Sequence, residues 1–352
     1  MTMSANSVSS QYLANALVGP ASQAQSALAT ATVEMSSGQY ANLGLQLGDQ
    51  AGYELSLKQE VARIGALTAS NAVASTALST AQNALSSISG QAATTIKDLA
   101  SWTSGANSGQ TLQTIGQSAL QSLIASANAT SGDAYVFGGI NTSQPPLSDY
   151  FSSPASAAKT AVLNAFQSTF GFPPTSPAAA GVSASSMQAF LGGAFAALFS
   201  GASWTADWSS ASSVNTSAEI VPGQTATTSG NANDPSFQLL AEAYTMVAAF
   251  GGSSLGASAQ QAVATAASGL IAQGQDALIN LQGTLGTSQS AIADANNAMS
   301  AQSTLLQTQI GSLDNVDQNA LASRITSLQT QIQTAYALTA KLQNMNLAYY
   351  IG

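Results

Sequence analysis

Ile271, Leu278, Leu285, Ile292, Met299, Leu306 and Leu313 recur at seven-residue intervals through the C-terminal third of the chain. A sustained period of 3.5 residues per turn places one apolar seam along a long helix and requires a second helix to cover it. The complementary positions, Leu281, Ser288, Ala295, Gln302 and Gln309, are weaker, so the seam is narrow and partly polar. Asp314 and Asn315 interrupt it, and Asp317 is placed to cap a new helix. There Leu321, Ile325, Leu328, Ile332, Ala335, Leu338, Leu342 and Met345 follow at spacings of three or four. The segment closes on Tyr349, Tyr350 and Ile351, an apolar tail suited to docking.

The N-terminal third carries the complement. Leu17, Ala21, Ala24, Leu28, Ala31 and Met35 keep one helical face, and Gly38 is a natural stop. Residues 39–52, with Asp49 as their one charge, read as a loop or irregular spur. From Ile64 the heptad returns: Ile64, Asn71, Leu78, Leu85, Ala92 and Leu99 alternate with Leu67, Ala74, Ala81, Ile88, Thr95 and Trp102. Asn71 on this seam is either a device that fixes register or a tolerated polar residue in a loose seam. A shorter helix follows, marked by Leu112, Ile115, Ala119, Leu123 and Ala127.

The middle differs in kind. Every proline except Pro20 lies between 145 and 235, and Pro145-Pro146, Pro173-Pro174 and Pro177 mark turns that stop long helices. Strand-like pieces stand at Ala134–Phe137 and Glu219–Val221, with helices expected over about 187–199 and 235–250. The expected fold is mainly α: a long coiled-coil-like bundle of N- and C-terminal arms, with an inserted smaller mixed α/β or β-containing module. The expected divisions are an N-terminal helical arm, 1–132, an outer module, 133–234, and a C-terminal arm, 235–352, that pairs with the first. Leu17, Leu28, Met35, Ile64, Leu67, Leu78, Leu85, Ile88 and Leu99 form its seam on one arm. Ile271 to Leu313, Leu321, Ile325, Leu328, Ile332, Leu342 and Met345 form it on the other. Polar members such as Ser288, Gln302 and Gln309 would let neighbours slide slightly. Either arm alone exposes an uncovered apolar stripe, which ties folding to assembly.

Chemistry has little to stand on. The chain has no His and no Cys, so thiolate metal sites, disulfides, cysteine nucleophiles and Ser-His-Asp triads are excluded. Its carboxylates are scattered, and Asp314 with Asp317 reads as capping at a helix start. No calcium-loop or phosphate-loop pattern survives inspection; Gly138-Gly139 reads as a turn after a short strand. No cofactor and no enzymatic activity are expected. Only 6% of residues are charged, against roughly 25% in an average soluble domain. Hydroxyls and amides replace them, and these are cheaper to desolvate against a partner. The six basic residues, Lys58, Arg63, Lys97, Lys159, Arg324 and Lys341, form no patch in a chain of net charge −9, which argues against nucleic acid and anionic membranes. With Lys58 the first basic residue and no long apolar run, neither an ordinary secretory signal nor a spanning helix is expected.

Three segments resemble the flagellin superfamily. Glu34-Met35-Ser36-Ser37-Gly38 closes the first helix. Tyr135-Val136-Phe137-Gly138-Gly139, followed by Pro145-Pro146-Leu147, is similar to the aromatic-Gly-Gly segment leading out of the bundle in hook–filament junction proteins. Leu313-Asp314-Asn315-Val316-Asp317, the helix after it and Leu342-Gln343-Asn344-Met345-Asn346-Leu347 resemble the superfamily's final step and tail. Where filament flagellins usually have a basic, Asn-containing stretch, this chain has Gln39-Tyr40-Ala41-Asn42-Leu43-Gly44-Leu45-Gln46-Leu47-Gly48, which tilts the resemblance toward the hook-associated branch. The resemblance implies export through the flagellar type III channel without a cleaved signal, an export chaperone, self-association in a ring or axial assembly, and contacts with a neighbouring hook-associated protein and filament flagellin. A filament flagellin, and a secreted helical adhesin or translocation component, are the alternatives.

Overall fold

The apolar periodicity resolves, in a computed structural model, into two helices of more than fifty residues each. Residues 10–105 and 108–351 are described, with side chains for 18–105 and 108–341. Helix α1 (Ser10–Ser37) carries Pro20 in its interior and stops at Gly38, whose φ of 74° suits glycine alone. The stretch 39–52 is more ordered than a loop. Asn42 accepts from the Leu45 amide to start α2 (Leu43–Leu47), and a 3₁₀ turn leads into α3 (Ala51–Ser104). Ser108 then caps α4 (Gly109–Ala127).

Short elements fill the middle. An antiparallel pair, β1 (Thr130–Ser131) and β2 (Ala134–Tyr135), leads to α5 (Ala157–Phe170), which is capped by Ser156 and stopped by Gly171 at φ 83°. Then come α6 (Ala184–Phe190), α7 (Gly201–Asp207) and a bulged antiparallel pair, β3 (Ser217–Val221) with β4 (Gln224–Thr227). Helix α5 lies outside the helices expected for the middle of the chain, and its bounds are set by the Ser156 cap and Gly171. The helix expected over 187–199 is α-helical only to Phe190. It widens into a π turn at Leu191–Phe195 and tightens into a 3₁₀ turn at Ala196–Phe199, as the Gly192-Gly193 pair permits. Asp234 caps α8 (Pro235–Phe250), and the chain ends in α9 (Ala257–Asp314) and α10 (Gln318–Ile351).

Residues 65–299 form one compact unit, and those up to 64 with those from 300 onward form another. In the 65–299 unit, α8 is buried almost all round and lies against α4. Their backbones come close because Gly116 meets Val247 and Ala248, and Gly251 meets Gln113; a Cβ on Gly116 would lie 2.3 Å from the Ala248 amide nitrogen. Aromatic rings fill the space beside α8, with Phe190 and Phe250 touching each other and each touching Phe166 and Phe195, and Trp208 stacked between Tyr150 and Trp204. The seam expected on α3 and α9 is closed here. Leu78, Leu85, Ile88, Leu99, Ile271, Leu278, Leu285, Ile292 and Met299 are all buried, and Leu67 is half-buried.

Polar side chains join the two long helices across that seam. Gln82 donates to the Gln282 carbonyl at 2.8 Å, while Asn71, fully buried, donates to the Ile220 carbonyl at 2.9 Å and to Asn296 Oδ1 at 2.8 Å. Of the two readings left open for Asn71, this geometry is that of a residue that fixes register: sliding by a turn would strand a buried amide.

One carboxyl runs against the apolar character of α8. Glu242 is 9% exposed, and burial pushes its pKa up to about 7. A carboxyl raised in the folded state costs no stability below its unfolded value near 4.5, then lowers stability as pH rises toward 7 and holds that cost above it. Glu242→Gln is therefore expected to stabilise the protein by about 1–3 kcal/mol at pH 8 and by nearly nothing at pH 4, read from urea melts at the two pH values. Equal effects at both would refute the assignment.

Candidate assembly surface

The terminal unit is built on different residues. Helix α1 packs along α10 through small side chains, with Ala24 and Ala31 buried, and Gln25 bonds Tyr336 across the pair. Two chain breaks are stitched together at its end. Gly38 releases the chain from α1, and Gln39 bridges antiparallel to Asn315 at the break between α9 and α10. The Tyr40 amide donates to the Asp314 carbonyl at 3.0 Å, and the Val316 amide to the Gly38 carbonyl at 3.0 Å. Asp317 Oδ1 then accepts from the Asn319 and Ala320 amides, the cap expected for the last helix.

Asp314, only 1% exposed, sits at the centre of this clasp. Lys58, from the first turns of α3, reaches its Oδ2 at 2.8 Å and also pairs with Glu54. The hydrogen bond to Asp314, followed by that to Glu54, raises the lysine pKa. Its contribution to stability is thus present throughout the neutral range and fades only as pH climbs through the raised value. Lys58→Met keeps the stem and removes the cation from a buried carboxylate. The expected loss is about 1–3 kcal/mol, below that of a fully buried pair because the ammonium is nearly half exposed. Thermal melts at pH 7 check it; an unchanged melting temperature would deny the clasp its role.

Apolar coverage is incomplete here. Leu28, Met35, Leu306, Leu313, Ile325, Leu328 and Ile332 are half-buried, while Ile64 and Leu321 are buried. Leu17, Leu342 and Met345 lie outside the described side chains. Eight of the thirteen large apolar residues exposed among the described residues belong to this unit, including Val33, Leu305, Tyr336 and Leu338. A groove of about 370 Å³, lined by Pro20, Ala21, Ala24, Thr330, Ala335 and Leu338, runs between α1 and α10. Two polar seam members are engaged within this unit: Gln302 donates to Glu60 at 3.3 Å, and the Tyr53 hydroxyl reaches Gln309 at 3.5 Å. The sequence reading missed Lys58 and the exposed Leu305; a lone lysine ahead of a buried seam, and a second leucine beside Leu306, were the available signals.

Such a surface is suited to contact. Apolar side chains left uncovered on paired helices, with few charges to desolvate, mark an interaction face. Among the described residues no cluster of His, Cys, Asp or Glu could hold a metal ion, and no single helix is long and apolar enough to cross a membrane.

Comparison with known proteins agrees with this layout. The bacterial flagellin N-terminal helical region matches residues 8–142, and the bacterial flagellin C-terminal helical region matches residues 268–351, together more than half of the chain. No curated protein matches it. A solved structure from Vibrio parahaemolyticus, assigned to a flagellar hook-associated protein, shares the fold with a TM-score of 0.53 at 14% identity, over 75% of this chain and 97% of that one.

Proposed function

This chain belongs to the flagellin superfamily, a family of structural, non-enzymatic flagellar proteins, and from that premise we propose that it joins hook to filament as a hook-associated junction subunit. The observation that carries the choice is the exit from the bundle at Tyr135–Gly139. Phe137 is buried against Phe237, Gly138 bridges Asn231, and Gly139 at φ 60° passes so close to Ser212 that a Cβ would lie 2.3 Å from its carbonyl oxygen. This rigid aromatic-Gly-Gly knot ties the helical part to the middle of the chain, and it is the segment that resembles the junction proteins. The fold shared with nearly the whole of the Vibrio hook-associated chain supports the same reading.

In this role the terminal helices join the axial layers, and residues 133–234 form the outward module between arms 1–132 and 235–352. The half-buried seam residues of the terminal unit, from Leu306 to Ile332 and at Leu28 and Met35, supply burial between subunits. The partners are other copies in a ring, a neighbouring hook-associated protein, filament flagellin and an export chaperone, after passage through the type III channel without a cleaved signal. Immunogold microscopy of intact flagella with antibody to residues 133–234 tests the proposal. A narrow band of label where hook meets filament is expected. Label along the whole filament would make the chain a filament flagellin, and none on flagella would favour the secreted adhesin or translocation alternative.

A further inference from the structure

Glu242 opens into a cleft of about 220 Å³ whose walls are Leu191, Met246, Ala266 and Leu270, with Gly192 and Gln188 at its mouth. Among the described residues its carboxyl makes no hydrogen bond or ion pair, and no other ionisable group lines the cleft. An acid at this point of a helix buried on nearly every side is costly, and a leucine would pack better. The mouth is held open by the π turn at Leu191–Phe195, which leaves unoccupied space where a Cβ of Gly192 would stand. An apolar channel with one carboxyl at its base suits a methylene stem that ends in a single positive charge. A lysine has that shape, whereas an arginine fork asks for more acceptors than the cleft holds.

We propose that this cleft receives a lysine side chain from a second copy of the chain, its methylenes on Leu191, Met246 and Leu270 and its ammonium on the Glu242 carboxylate. Charge complementarity names the donor. Lys97, Lys159 and Lys341 make no ion pair within the chain among the described residues, and so few cations on a chain of net charge −9 make one matched acid selective. The acid's raised pKa fits a group waiting for its counter-charge. The inference rests on the chain assembling with its own kind but not on its place in the flagellum.

Two measurements test it. In the full unassembled chain, the ¹³C carboxyl resonance of Glu242 is titrated with n-butylammonium chloride and, separately, with butan-1-ol. Butylammonium is expected to lower the Glu242 midpoint by about one unit or more, as a nearby opposite charge does. Butanol should not. Gly192→Met, which fills open space at the mouth, should abolish the response while the fold persists. A response equal for the alcohol, or one that survives Gly192→Met, would overturn the site. In assemblies mixed from ¹⁴N and ¹⁵N copies, zero-length carbodiimide coupling should then join Glu242 to Lys97, Lys159 or Lys341 in peptides of mixed isotope. Amides only within one isotope, or none at Glu242, would overturn the second-copy donor. Gold label along the whole filament would refute the junction role and leave this pair untouched, so the two readings fail separately.

Discussion

A chain carrying Leu278→Ala and Leu285→Ala is expected to lose about 5–8 kcal/mol of stability, most of what a domain of ordinary stability possesses. Both leucines are fully enclosed, at 0% and 1% exposure, between α9 and the facing stretch of α3. Each truncation removes buried methyl groups and leaves a cavity that two long helices joined by side-chain hydrogen bonds cannot readily collapse to fill. Two turns of helix separate the sites, so their costs add. Urea unfolding of the 65–299 unit reads the loss, and a change under 2 kcal/mol would mean the seam is not packed as described. The same heptad continued outward gives a different result. Leu306→Ser with Leu313→Ser touches half-buried residues and should cost the isolated chain only about 1 kcal/mol each. If these positions are covered by neighbouring subunits, as proposed, assembly should weaken by roughly 30-fold in critical concentration, equivalent to about 2 kcal/mol. Unchanged assembly of that double variant would sink the seam's role between subunits.

Gly116→Leu is expected to be nearly as damaging, by at least about 3 kcal/mol, through the opposite fault of overpacking. The added Cβ would meet the backbone of Val247 and Ala248 at 2.3–2.6 Å, and neither is the far end of a flexible side chain that could swing away. Helices α4 and α8 would have to separate along their whole crossing, and α8 carries the centre of the core. Gly90→Ala supplies the control. That glycine lies in α3 with open space around it, so the change should stabilise by about 0.5–1 kcal/mol. Denaturant midpoints of both variants decide the matter; similar midpoints would show that α4 and α8 do not meet as tightly as described.

The heptad from Ile271 was legible because a repeat of this length has one geometric meaning, and the capped break at Asp317 because its carboxylate answers a local need. The α4–α8 crossing was not legible. It depends on Gly116 and Gly251 being small, and an absence of side chain leaves no periodic mark. Glu242 carried a usable signal, a single acid in the apolar run from Phe237 to Phe250, yet its significance depends on the π turn that opens a cleft beside it. Residues 39–52 misled because short helical turns stabilised by one cap, Asn42, look like loop in composition. The leucine pattern of the terminal unit was legible as well; that Leu28, Leu306, Leu313 and Leu328 are only half-buried was not, because only packing reveals it.

The bond between Gln25 and Tyr336 joins residues 311 positions apart, and the bridge from Gln39 to Asn315 is scarcely more local. Contacts of this separation form late and slowly, because nearly the whole chain must be confined before they return any energy. During synthesis α1 therefore lacks the helix it packs along until the residues of α10 have been made. The unit at residues 65–299 can condense first around its own aromatic core. The ends then zip last, so the nascent chain spends longest with its N-terminal helix free, and a segment that binds α1 in that interval would set the pace of folding.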